Sequence, residues 1–251
     1  LSAAVRQKGA GEERVMREPD VWIPYCGAAP EPAEWWARWN GDPWLIALLF
    51  VAAFLVRGGP RNAQVAIGVA AFLFVSPFCA LTSALFAARA AHHVVLVAVL
   101  APLIAWSIPA RARSVTLWTA ASALTLWVWH APALYAAALS HDAVYWLMQA
   151  TLLASATGFW SAVRGAQPPQ AVAALLGYMV QMGLLGALLT FSRQAFYAPH
   201  MLTTSAWGLS PLADQQLAGM IMWVPGALVY LAAALLMMRQ MLVETPRAAA
   251  L

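Results

Sequence analysis

HHVVLVAVLAPLIAWSIP, residues 92–109, decides how the rest of the chain is read. After its two leading histidines it carries no ionisable side chain, and a proline sits within it. A bilayer core about 30 Å thick needs roughly 20 apolar residues per helix, so this run, begun at Ala91 (91–109), predicts a transmembrane helix. Six further runs are of the same kind: 43–57 (short, extended back through Trp39), 64–87, 114–131, 143–163, 170–191 and 216–238. Composition agrees, with 63% hydrophobic and 10% charged residues, where soluble domains carry about 25% charged. The expectation is an all-α integral membrane protein, a bundle of about seven transmembrane helices within 39–240. A mobile polar tail, 1–38, precedes it, and a short tail, 241–251, follows. The first tail is rich in Gly, Pro, Glu and Arg, as disordered segments are, and lacks the apolar core of a signal peptide.

The arginines set an orientation. Arg57, Arg61, Arg111, Arg113, Arg164, Arg239 and Arg247 fall on one side of the seven runs, whereas Arg38, Arg89 and Arg193 lie near membrane ends on the other. The positive-inside rule makes the first side cytoplasmic, with the N-terminus outside and the C-terminus in the cytoplasm. Trp35, Trp36, Trp39 and Trp44 at the first run, and Trp127, Trp129, Tyr145 and Trp146 around the fourth loop, suit the headgroup zone. Pro77, Pro102 and Pro225 lie inside runs two, three and seven and are expected to kink them. Gly177, Gly183 and Gly186 are expected to permit close helix approach.

With this topology every histidine reaches the outer side: His92 and His93 open the third run, His130 closes the fourth, His141 opens the fifth, and His200 precedes the seventh. Asp142 and Asp214 join them. Neutral imidazole ligates transition metals, and thiol or thioether sulfur adds selectivity for reduced copper. Cys79, Met201, Met220 and Met222 lie on the same side, though methionine in a span reads first as packing material. Interfacial histidines also cap helices and bond headgroups, and both readings stand on the residues alone. Cys26 and Cys79 face an oxidising compartment, where a disulfide is allowed; two unpaired thiols are the default, and a metal-binding pair is the sharper alternative.

Several function classes drop out. No basic stripe with interleaved aromatics supports nucleic-acid binding. No acidic or basic residue is placed at mid-membrane, as an ion-coupled pump needs. A retinal Schiff base requires a lysine, and Lys8, in the tail, is the only one. Gln181 and Gln149, inside runs six and five, are expected to hydrogen-bond between helices.

Three stretches, WVWHAPALYAAAL (127–139), GALLTFSRQAFY (186–197) and WGLSPLADQQLAGMIMWVPGALVYL (207–231), resemble the CtaG-type family of cytochrome c oxidase assembly proteins. HHVVLVAVLAPLIAWSIP and PYCGAAPEPAEWWARWNGDPWLI (24–46) extend the resemblance over nearly the whole chain after residue 20. It implies a multi-pass bacterial inner-membrane protein, not an enzyme, that helps mature a haem-copper oxidase through copper supply to its catalytic subunit. Oxidase subunits, the lipid bilayer and other copper chaperones are the implied partners. His93 matches the family's histidine before the apolar run, His130 its Trp-x-x-His element, and Asp214 its loop aspartate. The chain departs from the family where Arg89 replaces an earlier histidine and where Met148 and Gln149 stand for Glu-His, with His141 upstream as a substitute. The expected metal set is His93, His130, His92, His141, Asp214 (orienting an imidazole) and Cys79, with copper as the ion. A metal-free scaffold docking on an oxidase, and a haem carrier with His93 and His130 as axial ligands, remain alternatives.

Overall fold

In lipid the backbone must satisfy its own polar groups, which favours helix wherever the chain is uniformly apolar. All seven apolar runs are helical in the computed structural model, which describes residues 24–109 and 114–248, the side chains of 240–248 excepted. Residues 1–23, including most of the expected tail and Lys8, and Arg111 and Arg113 lie outside the described residues. The helices are α1 (Pro43–Val56), α2 (Arg61–Phe74), α3 (Pro77–Ala84), α4 (Phe86–Val95), α5 (Ala101–Ser107), α6 (Val115–Trp129), α7 (Pro132–Ala138), α8 (Asp142–Gly165), α9 (Pro168–Phe191), α10 (Pro211–Ile221) and α11 (Ala227–Ala248). No strand occurs among the described residues. Three continuous helical stretches are long and apolar enough to cross a membrane: Phe86–Ser107, Pro168–Phe191 and Pro211–Arg239. The pair α2 and α3, bent by 45° at its break, makes a fourth if taken as one span.

Each expected kink has a specific form. Pro77 stands at the first turn of α3, where its missing N–H costs nothing, and Ser76 caps that turn through the Phe78 N–H. Pro102 follows a π turn, Leu96–Leu100, that joins α4 to α5. The proline offers no N–H to the Val97 carbonyl in that register. The Trp160 indole on α8 donates to it instead, at 2.9 Å. Pro225 lies inside a second π turn, Met222–Gly226, between α10 and α11. Among the glycines named above, Gly186 alone meets a backbone: a Cβ there would come within 2.8 Å of the Gly219 carbonyl oxygen, and one on Gly219 within 2.5 Å of the Gly186 oxygen. A Cβ on Gly177 would meet nothing, and one on Gly183 only the Trp223 ring at 3.7 Å. Close approach of α9 and α10 thus rests on Gly186 and Gly219, and Gly219→Leu should destabilise the fold by about 1–3 kcal/mol through overpacking. A thermal melt in detergent that matches the unmutated chain would contradict this contact.

One end of the bundle gathers distant pieces of chain. Cys26 and Cys79 form a disulfide, which corrects the expectation of two unpaired thiols. Tyr25 stacks on Tyr145 of α8 and donates to the Asp42 carboxylate that caps α1. Trp207 donates to the Pro30 carbonyl, and the Asn40 N–H to that of Val75. Residues 24–38, read as part of a mobile tail, therefore pack on the helices. At the far terminus α11 runs to Ala248, well into the stretch read as a tail.

Candidate metal centre

α4 carries His92 and His93 in its last turns, and their neighbours in the sequence give them opposite settings. The His92 ring sits against Phe74 and Phe78, and its Nε2 lies 3.2 Å from the Leu73 carbonyl. It ties α4 to the broken span α2–α3. His93 turns the other way, toward α6. Its ring centre lies 6.1 Å from that of His130, nearly perpendicular to it. His130 ends α6, where its Nδ1 donates to the Leu126 carbonyl one turn back, at 2.7 Å. That bond leaves the His130 Nε2 lone pair free, the arrangement that ligating histidines use to hold their tautomer. The His93 Nε2 is buried with no protein partner. Two metal–nitrogen bonds of about 2.0–2.1 Å in line, plus the half-width of each ring, span slightly more than this separation, so the spacing lets both rings reach one ion.

Both border a small cavity of about 10 Å³, lined by Ala90, His93, Val94, Val97, Leu126, His130, Met182 and Met222. It has the size of one small ion or water. His130 also borders an open apolar groove of about 380 Å³, lined by Trp127, Pro132, Leu188 and Tyr197 among others. A larger groove, about 820 Å³, lies at the other end between α6 and α9 and is lined by Ser, Thr, Gln and small residues without a titratable group.

The rest of the expected set does not join this pair. Among the described residues no group of three or more His, Cys, Asp or Glu is arranged to hold a metal ion. Cys79 is bonded to Cys26 and has no thiolate to offer. His141 is exposed at the start of α8 and is absent from the cavity lining. Asp214 orients no imidazole: its carboxylate accepts from the Phe86 and Ala87 N–H groups at 2.7 and 3.1 Å, capping α4 from the first turn of α10. His200 is a structural residue as well. Its Nε2 accepts from the Tyr135 hydroxyl at 2.7 Å, and its Nδ1 faces the Ala84 carbonyl. Burial above all, with the Arg89 charge second, pushes this imidazole down to about 3, so it stays neutral.

Met182 and the burial of Arg89 escaped the sequence reading, which named Met222 among the outer-side sulfurs. Met182 and Met222, 1% and 2% exposed, complete the lining with the two imidazoles. Arg89, placed near a membrane end by the sequence, is wholly buried, its guanidinium carbon 5.3 Å from the centre of the Tyr145 ring, with no salt-bridged carboxylate among the described residues. The expected interhelical bond of Gln181 forms with the Trp127 indole at 3.2 Å, whereas the Gln149 amide makes no bond to another helix that meets the same distance and angle.

No curated protein and no solved structure matches the chain. The model of one protein family, the cytochrome c oxidase caa3 assembly factor family (Caa3_CtaG), matches residues 112–244, more than half of the chain and the part that includes His130, Met182, Asp214 and Met222. This chain belongs to the Caa3_CtaG family of cytochrome c oxidase assembly factors.

Proposed function

We propose that this assembly factor handles copper for the catalytic subunit of its oxidase, through His93 and His130. The observation that carries the reading is the facing pair: one imidazole anchored through Nδ1, the other with an orphaned Nε2, both bordering a cavity the size of a single ion. An assembly factor has to pass its cargo on, and His130 borders both the cavity and the open groove. The groove's apolar lining suits a helix of an oxidase subunit.

The chain crosses the bacterial inner membrane seven times, with the histidine-bearing end at the non-cytoplasmic face. The disulfide at that end supports an oxidising compartment. Arg57, Arg61 and Arg164 fall at the opposite end of their helices, as the positive-inside rule requires.

Copper titration of the purified protein tests the function. The unmutated chain should take one equivalent, and the double variant His93→Ala, His130→Ala should take none. Unchanged stoichiometry in that variant would remove the site, and full oxidase assembly in cells carrying it would favour a metal-free scaffold.

A further inference from the structure

We infer that the cavity is a copper(I) site of two imidazoles and two thioethers, His93, His130, Met182 and Met222, and that Arg89 biases it against divalent ions. This rests on the copper reading of the histidine pair and extends it to an oxidation state and two further ligands.

Four separate elements converge on the cavity: His93 from α4, His130 from the end of α6, Met182 from α9 and Met222 from the start of the second π turn. The Met182 sulfur is held closely by its surroundings. A Cβ on Gly226 would stand 2.7 Å from the Met182 Sδ, so the last residue of that π turn presses its bare backbone toward the thioether. Met222 opens the same turn, and Val97 in the first π turn lines the cavity from the other side. π turns within α-helices concentrate at functional sites because they re-aim side chains that a regular helix would align. Here the two turns bracket one small void.

The donor chemistry selects the ion. No carboxylate, thiolate or hydroxyl lines the cavity. All four donors are neutral, and two are soft sulfurs, a set that favours copper(I) over harder divalent ions. Burying charge in a low-dielectric interior is costly, and the cost rises steeply with the charge of the ion. Arg89 adds to this. It precedes His93 by four residues, which places both on one face of α4, and its permanent charge acts on His92 and His93. No acidic side chain is salt-bridged to it among the described residues. The guanidinium does not line the cavity but lies one helical turn from His93, against the Tyr145 ring, and at any given distance it repels a divalent ion twice as strongly as a monovalent one.

The test is an anaerobic competition titration of full-length protein in detergent, copper(I) against a chelating dye, with zinc(II) in parallel. The unmutated chain should bind one copper(I) and prefer it to zinc(II), with sulfur as well as nitrogen in the copper X-ray absorption spectrum. Met182→Leu and Met222→Leu conserve volume, and thermal melts verify that they fold. Each should weaken copper(I) by at least the roughly 10–100-fold that losing a supporting group costs a metal site. Arg89→Met should raise zinc(II) affinity more than copper(I) affinity. A double Leu variant that binds copper(I) as tightly as the unmutated chain, with a nitrogen-only spectrum, overturns the thioether ligation and leaves the histidine pair standing. Tighter zinc(II) than copper(I) binding by the unmutated chain overturns the selectivity. Failure of the unmutated chain to bind copper in either oxidation state brings down both this inference and the reading beneath it.

Discussion

Replacing Cys26 and Cys79 together by Ser should lower the stability of the folded protein by about 2–4 kcal/mol, near the loss typical of a native disulfide. The bond closes a loop with a sequence separation of 53 residues, for which the chain-entropy estimate is about 4 kcal/mol at 25 °C. Its position makes the effect more than local. It fastens the segment before α1 to α3, and α3 leads through the single extended residue Leu85 into α4, which bears His93. Tyr145 also lies against this junction, its hydroxyl 3.7 Å from the Cys26 sulfur. Thermal melts in detergent with and without a reductant check the prediction. A melt insensitive to both reduction and the double substitution would show that this end of the bundle is held by its other contacts.

Asp214→Ala should cost about 2–4 kcal/mol, because it leaves two buried backbone donors, Phe86 N–H and Ala87 N–H, without an acceptor at about 1–3 kcal/mol each. Leu85, at the N-cap of α4, has no side-chain oxygen to take their place. A carboxylate at a helix N-terminus also complements the macrodipole. Asp214→Asn keeps an acceptor oxygen and should recover about half of the loss. Because α4 presents His93 two turns on, the Ala variant should also weaken copper binding, while the oxidation state preferred stays the same. Melts and titrations of both variants, side by side, read the two effects. An Ala variant as stable as the unmutated chain would mean that water satisfies those donors.

The histidine pair was legible in the residues. His93 and His130 follow from the runs that carry them and from the family resemblance, and their convergence required only that the third run begin on the side where the fourth ends. The other expected ligands failed for reasons a linear pattern does not contain. His92 is adjacent to His93, and that single step rotates it about 100° around the helix, against Phe74 and Phe78 instead of α6. Asp214 was placed at the correct end, yet its carboxylate points at a helix terminus more than a hundred residues away in sequence. Cys26 and Cys79 were seen as a pair whose distance the spacing could not supply.

The sequence by itself determined that the apolar runs are helical and that Pro77, Pro102 and Pro225 mark interruptions within them, though not the proline-free break at Leu85. An uninterrupted apolar run has one economical way to satisfy its backbone in lipid, and proline removes a donor at a known position wherever it stands. It also determined that the imidazoles gather at one end. Rotation of each helix about its own axis was decided only by the tertiary structure. In a soluble helix the polar face reports that rotation, but lipid is as apolar as a protein core, so every face of these spans reads alike. Packing therefore chose which methionines face the histidines. The contact of Gly186 with Gly219 and the two π turns fix α4, α9 and α10 against one another, and they bring Met182 and Met222 to a cavity that no spacing in the chain announces.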